Sequence, residues 1–430
     1  MTRWRNWGRT ERARGLRRHR PRTEADVAEV VADAAAEGRR VKVVGSGHSF
    51  TAIARPDTAL LDLGGYDRLV ALDEAAGTVT VESGAVLGRL VETLHARGWA
   101  MPNLGDVTYQ TVGGALATGT HGTGGRLPGL AAQVAGFRLV DGAGRVHDCG
   151  PGAHEEAWRT GRVGLGALGV MTEVTLRVVP AFVLEAVEEP MRMDDVLRDF
   201  DRHVAGNDHF ECYWVPHTGW ALTKRNNRTD APARPMPRAR RWWTKTVMEN
   251  VAFGAVCRLG RAVPPLVPAL ARALPSTGRL DYSDASHRVF ASPRLVRFRE
   301  MEYAIPRAAL PDAMGRVRRM VDERGLRVSF PVEVRAAAAD DVPLSTAHGR
   351  DTAYVAVHMY VGVPYEDYFR EVERIMVDHA GRPHWGKIHF QSAATLRHRY
   401  DGWSAFARLR DELDPRGTFT NGYLERVLGR

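Results

Sequence analysis

In the run Phe330-Pro331-Val332-Glu333-Val334-Arg335, a carboxylate and a guanidinium stand two residues apart. On an extended chain both point to one face, with Val332 and Val334 on the other. Burying the pair is costly unless the two groups serve each other or a ligand, so the run reads as a plain ion pair or as a grip on a polar substrate. A second strand-like run, 353–361, sets Tyr354, Ala356, His358 and Tyr360 on one face. Such a stripe can line a sugar pocket, where rings cover C–H surface and His and Tyr read hydroxyls, or it can be an exposed sheet face. Lys387 adds a cation in the setting His384-Trp385-Gly386-Lys387. Finally, Val41-Lys42-Val43-Val44-Gly45-Ser46-Gly47-His48-Ser49-Phe50 delivers a histidine from a short apolar strand into a Gly-Ser-Gly turn. The turn's backbone can approach a ligand closely, and neutral imidazole is a nucleophile, so His48 is a place to bond a cofactor.

The phosphate-binding signals are of an uncommon kind. A dinucleotide fingerprint needs a third glycine where this chain has Phe50, and no Gly-x-x-x-x-Gly-Lys-Ser/Thr run occurs. Instead, Asn103-Leu104-Gly105-Asp106 and the stretch from Thr111 to Gly125 collect glycines and threonines with no lysine. Backbone N–H groups and hydroxyls of that composition can wrap a pyrophosphate, or they can form a set of tight turns.

Taken together, the GSGHSF turn, the Gly-Gly-x-x-x-Thr-Gly-Thr-His-Gly-Thr-Gly loop and Leu168-Gly169-Val170-Met171-Thr172-Glu173-Val174-Thr175-Leu176 resemble the FAD domain of the vanillyl-alcohol oxidase family. The runs around Glu333 and Lys387, with Asp414-Pro415-Arg416-Gly417-Thr418-Phe419-Thr420-Asn421-Gly422-Tyr423-Leu424, are similar to its sugar-1,4-lactone oxidoreductase branch, with alditol oxidases a step further off. The resemblance spans about Arg22 to Leu428. It implies an α+β protein. A PCMH-type FAD-binding domain of two subdomains would occupy 1–180, an α+β substrate domain with an antiparallel sheet 181–380, and a return to the FAD domain 381–430.

The resemblance also implies FAD bonded covalently through His48. Val44, Gly45, Ser46, Gly47, Ser49, Gly105, Asp106, Thr111, Gly113, Gly114, Thr118, Thr120, His121, Val170 and Lys387 would hold the cofactor. Asp106, Glu333, Arg335, His358 and Lys387 would bind substrate, and Glu333, Arg335 and Lys387 would carry catalysis. The expected reaction is oxidation of the C2 hydroxyl of an aldono-1,4-lactone by hydride transfer to flavin N5, with dioxygen or another acceptor taking the electrons; the alternative is an alditol oxidase that produces hydrogen peroxide. A fixed cation at Lys387 suits this chemistry, because negative charge develops toward flavin N1 as hydride arrives. Gly105 leaves dioxygen room near the ring. Asp106 departs from the serine expected of alditol oxidases and favours a lactone over a linear polyol.

Elements must position these groups. Thr23 to Asp26 reads as a capping box, Val27, Val30, Val31 and Ala34 recur at helical spacing, and Gly38 ends the helix just before the strand that carries His48. Strand-like runs follow at 59–63, 79–81, 134–140 and 170–179, with a boundary near Pro180. Prolines punctuate 232–268 around a helix at 247–259, and strands return at 328–336 and 353–361.

Bulk properties narrow the class. A chain of 430 residues with 44% hydrophobic and 26% charged residues has the composition of a globular protein of two domains. The first 22 residues hold nine arginines and no hydrophobic stretch, so no secretory signal is expected, and no role for them emerges. Three widely spaced cysteines, Cys149, Cys212 and Cys257, argue against a disulfide framework and point to the cytoplasm. No metal is expected, since His384 and His389 lack acidic or cysteine neighbours to complete a site. The net charge of +9 is spread along the chain, so nucleic-acid binding is not expected. Arg234 to Arg241 beside Trp242-Trp243 reads as a solvated or membrane-facing surface, although membrane contact is not predicted.

Overall fold

The computed structural model describes residues 2–429. Among the described residues, three large sheets organise the chain beside one two-stranded pair, Trp99–Ala100 with Val179–Pro180. The first has four strands in the order Thr2–Arg5, Arg12–His19, Ala59–Asp62, Val41–Val44. Its last three strands run parallel, and helix Glu24–Ala36 buries Val27, Val31 and Ala34 against them. The helix begins as its sequence requires: the Thr23 hydroxyl accepts from the Asp26 N–H, and the Asp26 carboxylate accepts from the Thr23 N–H.

The second sheet is antiparallel, in the order Leu69–Asp73, Thr78–Glu82, Val170–Arg177, Val134–Val140, Val146–Cys149. Its inward residues Val79, Val81, Val134, Phe137 and Val174 share a core with Trp385, Phe406, Tyr423 and Val427 from the end of the chain. The segment that carries Lys387 is thus anchored against the same body as the His48 turn.

The third sheet has eight antiparallel strands, ordered Leu280–Ala285, Val183–Arg192, Trp220–Thr229, His209–Trp214, Val332–Ala337, Thr352–Tyr360, Phe298–Pro306, Arg382–Pro383. Alternation sorts its side chains. Cys212, Met301, Tyr303, Val332, Val334, Val355 and Val357 face one core with helices Leu310–Glu323 and Glu366–Asp378. Glu211, Tyr213, Glu300, Glu302, Glu333, Arg335, Tyr354 and His358 take the opposite face. One sheet therefore supplies an apolar floor behind and a polar wall in front.

Three expectations change. The arginine-rich start forms two paired strands, Thr2–Arg5 and Arg12–His19, instead of a segment without a role. The helix expected at 247–259 is part of a continuous helical run, with α-helix Arg238–Arg241, π-helix Trp242–Ala252 and α-helix Phe253–Ala262. The strand expected from 328 begins at Val332, because Pro331 has no N–H to give a ladder.

Candidate active site

Two cavities meet at His48. The first, a groove of about 1180 Å³ of empty space between the first two sheets, is lined by Val44 through Ser49, Thr111, Gly113, Gly114 and Thr118. Among the described residues, no backbone hydrogen bond is donated by Ser46, Gly47, His48 or Ser49. Four successive unspent N–H groups form a nest suited to an anion such as a pyrophosphate. Gly47 sits at φ +72°, a left-handed conformation that lets the turn close, and a Cβ on Gly45 would collide with Thr111 Oγ1. The groove therefore fits the dinucleotide of FAD.

Lys42, which sequence reasoning passed over, also lines this groove. Its ammonium donates to Gly166 O at 2.8 Å and Phe419 O at 2.7 Å, and burial brings its pKa down to about 7. A lysine inside an otherwise apolar strand was the available signal.

His48 stands between two rings. Trp7 stacks on one side with centroids 5.7 Å apart, and Tyr109 on the other at 5.9 Å. Burial first, then the Lys387 charge, lower its pKa to about 4, so the imidazole is neutral and its lone pair is available. The N-terminal arm fixes the turn further, through Trp7 N–H to Gly47 O at 2.7 Å and Asn6 Nδ2 to Ser49 O at 2.9 Å.

The second cavity also reaches His48 and, counted together with the part open to solvent, holds about 710 Å³ of empty space. His48, Ser49, Gly105, Asp106, Thr118, Thr120, His121, Arg335 and Lys387 all line it, so most of the residues singled out in the sequence converge here. Arg294, Glu300 and Glu302 join them from strands and loops that the sequence reading left unexamined. Beyond Asp106 and Arg335 a further polar cavity continues past Glu211, Lys224 and Asn226, with Trp242 at its lining.

Three predicted positions do not line these cavities; one is Glu333, which stands off the lining, paired with Arg335 and bonded to Tyr213. Val170 is buried in the core with Val27 and Phe419, and its neighbours Gly169 and Met171 reach the groove instead. His358 is on the polar face but packed against Phe298 and Phe330, its Nδ1 3.1 Å from Pro331 O and its Nε2 3.5 Å from Glu300 Oε1. Its link to the cavity is Glu300, which lines it.

Charge is organised in two groups. In the first, Asp106 accepts from Arg294 Nε at 3.1 Å and lies 3.5 Å from Arg335 Nη2. Burial alone would raise the Asp106 carboxyl, but the two guanidiniums hold it well below the usual carboxylate range. Arg335 also pairs with Glu333 and donates to Glu211 Oε2 at 2.8 Å. Tyr213 Oη lies 3.0 Å from both Glu211 and Glu333. One phenol hydrogen serves only one of two carboxylates, so the trio is satisfied when the other carries a proton. Burial first, then the charges of Asp106 and Glu211, push Glu333 above its ordinary value. Burial also acts on Glu211, but Arg335 and Lys224 keep it low. Of the two carboxyls, Glu333 is the one whose pKa is raised.

In the second group, Lys387 Nζ pairs with Glu300 at 2.5 Å; burial works against its charge, but Glu300 and Glu302 raise its pKa. His121 lies 2.8 Å from Gly122 O through Nδ1 and 3.1 Å from Glu302 through Nε2. His121, Glu302 and His384 bring one ligand atom each within 4.8 Å, a grouping the sequence reading had sought between His384 and His389. His389 instead bonds the Tyr423 hydroxyl at 2.8 Å. His384 Nδ1 accepts the Gly386 N–H, which puts the hydrogen of the neutral ring on Nε2, and His121 faces oxygen acceptors at both nitrogens. His121 and Glu302 are thus joined by a hydrogen bond, with His384 beside them.

Comparison with known proteins bears on this arrangement. Residues 174–427 match the model of the D-arabinono-1,4-lactone oxidase family, and residues 18–150 match an FAD binding domain. The chain is 45% identical to an L-gulono-1,4-lactone dehydrogenase of Mycobacterium tuberculosis, over 99% of each protein. It is 32% identical to an L-gulonolactone oxidase of Bos taurus, covering 98% of this chain and 97% of that one. An alditol oxidase of a Streptomyces species is 34% identical, over 95% of each. Among solved structures, cholesterol oxidase from B. sterolicum superposes with a TM-score of 0.85 at 18% identity, covering 99% of this chain and 96% of that one; this likeness concerns the fold.

Proposed function

The chain belongs to the D-arabinono-1,4-lactone oxidase family and is an FAD-dependent sugar-lactone oxidoreductase, and from that premise we propose that it oxidises the C2 hydroxyl of an L-gulono- or D-arabinono-type 1,4-lactone in the cavity between His48 and Arg335. When bound, FAD supplies the acceptor for the hydride that leaves C2. The observation that carries this reading is the convergence of His48, Lys387, Asp106 and Arg335 on one cavity.

Each residue has a part. Val44 through Ser49, Thr111, Gly113, Gly114 and Thr118 hold the dinucleotide, and His48 holds the cofactor covalently through its neutral ring. Gly105, Thr120 and His121 border the reactive part of the cofactor. Arg335 donates to the substrate oxygen, oriented by Glu211, Glu333 and Asp106. Glu333, paired with Arg335 just off the cavity lining, is the group we assign to accept the hydroxyl proton as the C2–H bond breaks, a task favoured by its raised pKa. Lys387 fixes positive charge where negative charge develops. Gly105 keeps a side chain off that part of the cavity, which supports dioxygen as an acceptor, although a Cβ there would also lie 3.1 Å from His121 O.

The experiment is turnover with a dye acceptor on L-gulono-1,4-lactone, D-arabinono-1,4-lactone, xylitol and sorbitol. The proposal expects a lactone to give the highest kcat/KM. Preference for xylitol or sorbitol would transfer the chain to the alditol oxidase reading, which the 34% relative keeps in view.

A further inference from the structure

Large apolar side chains on the surface are concentrated in one place. Among the described residues, seven of the eleven exposed large hydrophobics fall between Trp242 and Leu266: Trp242, Trp243, Met248, Val251, Leu259, Val263 and Leu266. Leu295, 59% exposed, adjoins them, its N–H bonded to Asn250 Oδ1 at 2.7 Å. A contiguous apolar patch of this kind on a soluble chain marks an interaction surface.

The helical run explains the stripe. Trp243, Met248, Val251, Ala255, Leu259 and Ala262 recur at the pitch of a wide-turned helix passing into an ordinary one, and all are exposed. The opposite stripe, Lys245, Asn250, Gly254, Cys257 and Gly260, is buried against the body. The helix is therefore anchored by one face and presents a second apolar face with nothing on it.

Charge identifies the partner. Between residues 238 and 274 the chain holds six arginines and one lysine against a single acid, Glu249. Glu249 is committed to Lys245 at 2.8 Å. Arg240 and Arg258 are exposed, and neither makes an ion pair among the described residues. Aromatic and aliphatic side chains flanked by unpaired arginines complement a layer that is apolar within and anionic at its face. A second copy of this basic surface would bring like charges together.

We propose that the helical run 238–262 docks the protein peripherally on an anionic lipid bilayer, with Trp243, Met248, Val251 and Leu259 entering the headgroup boundary and the arginines meeting lipid phosphates. Among the described residues no helix is long and apolar enough to cross a membrane, so the contact lies in the plane of the surface. Trp242 also lines the polar cavity beyond Asp106 and Arg335, so docking sets that cavity beside the bilayer.

The test is co-sedimentation of the FAD-loaded protein with vesicles of phosphatidylcholine, alone or with a minor share of phosphatidylglycerol. The full chain should sediment with the anionic vesicles, and salt should weaken the binding. Trp243→Glu/Val251→Glu should lower the partition at least about ten-fold, and Arg240→Glu/Arg258→Glu should remove its preference for phosphatidylglycerol. Both variants should keep wild-type lactone turnover without vesicles, which separates this proposal from the functional one. No binding to anionic vesicles, or equal binding by the glutamate variants, would overturn it. So would self-association in light scattering that Trp243→Glu/Val251→Glu abolishes while wild-type protein ignores vesicles, since the stripe would then belong to a second copy.

Discussion

Trp7 lies 5.7 Å from His48, with ring planes 23° apart, so the arginine-rich start of the chain supplies one wall for the residue assigned to carry the cofactor. Replacing His48 by alanine should leave FAD extractable by acid precipitation, with no flavin fluorescence in the denatured protein. Trp7→Ala should keep the attachment chemistry but loosen the ring by about 1 kcal/mol, the usual worth of an aromatic pair. The covalent flavin fraction should then fall between those of wild type and His48→Ala, read by fluorescence of the washed pellet.

Glu333 and Tyr213 share a hydrogen bond at 3.0 Å, and Glu333 is the carboxyl whose pKa is raised. Its basic form grows as pH rises, so kcat/KM should climb with pH through a limb centred above the ordinary value of 4.5. Glu333→Gln should lower kcat/KM by about 10²–10⁴-fold and erase that limb. Tyr213→Phe frees the carboxylates from competition for one hydrogen and should displace the limb without removing it.

Lys387 and Glu300 form a pair whose members are costly alone. Lys387→Met should strand a buried carboxylate, with a loss of about 3–5 kcal/mol of stability and a drop of about 10²–10³-fold in kcat. In the double variant Lys387→Met/Glu300→Gln, melting temperature should recover while turnover does not. That split separates the structural share of the lysine from its chemical one.

Asp106 gives a prediction about acid. Its folded pKa is depressed below the unfolded one, so it contributes stability that is present at neutral pH and is lost as pH falls through the folded value. Asp106→Asn should therefore destabilise the protein at pH 7 by roughly 3 kcal/mol, since Arg294 loses its carboxylate while Arg335 keeps Glu211 and Glu333. The same variant should show a flatter loss of stability below about pH 5, measured by denaturant titration at several pH values.

What was legible in the sequence was local. The alternation that sends Glu333 and Arg335 forward and Val332 and Val334 back is a property of six consecutive residues, and the turn after Val44 follows from its glycines. The partners of these residues were not legible, because each comes from a distant strand: Glu211 and Tyr213 from His209–Trp214, Glu300 and Glu302 from Phe298–Pro306. Those strands alternate as well, but a carboxylate on an unplaced strand has no visible neighbour. The strand Arg12–His19 escaped for another reason. Only Leu16 in it is buried, and Arg18 pairs with Asp62 across the sheet, so the hydrophobic period that marks a strand is missing.

The central claim is that a sugar lactone delivers hydride within the cavity that joins His48 to Arg335. The direct measurement is to mix the purified, oxygen-free protein with L-gulono-1,4-lactone and follow the visible flavin band, using Arg335→Met as the comparison. The account predicts rapid bleaching in the wild type, at least about 10²-fold slower bleaching in the variant, and recovery of the band when air is admitted. An unchanged band with every aldono-1,4-lactone, or equal bleaching in Arg335→Met, would contradict it.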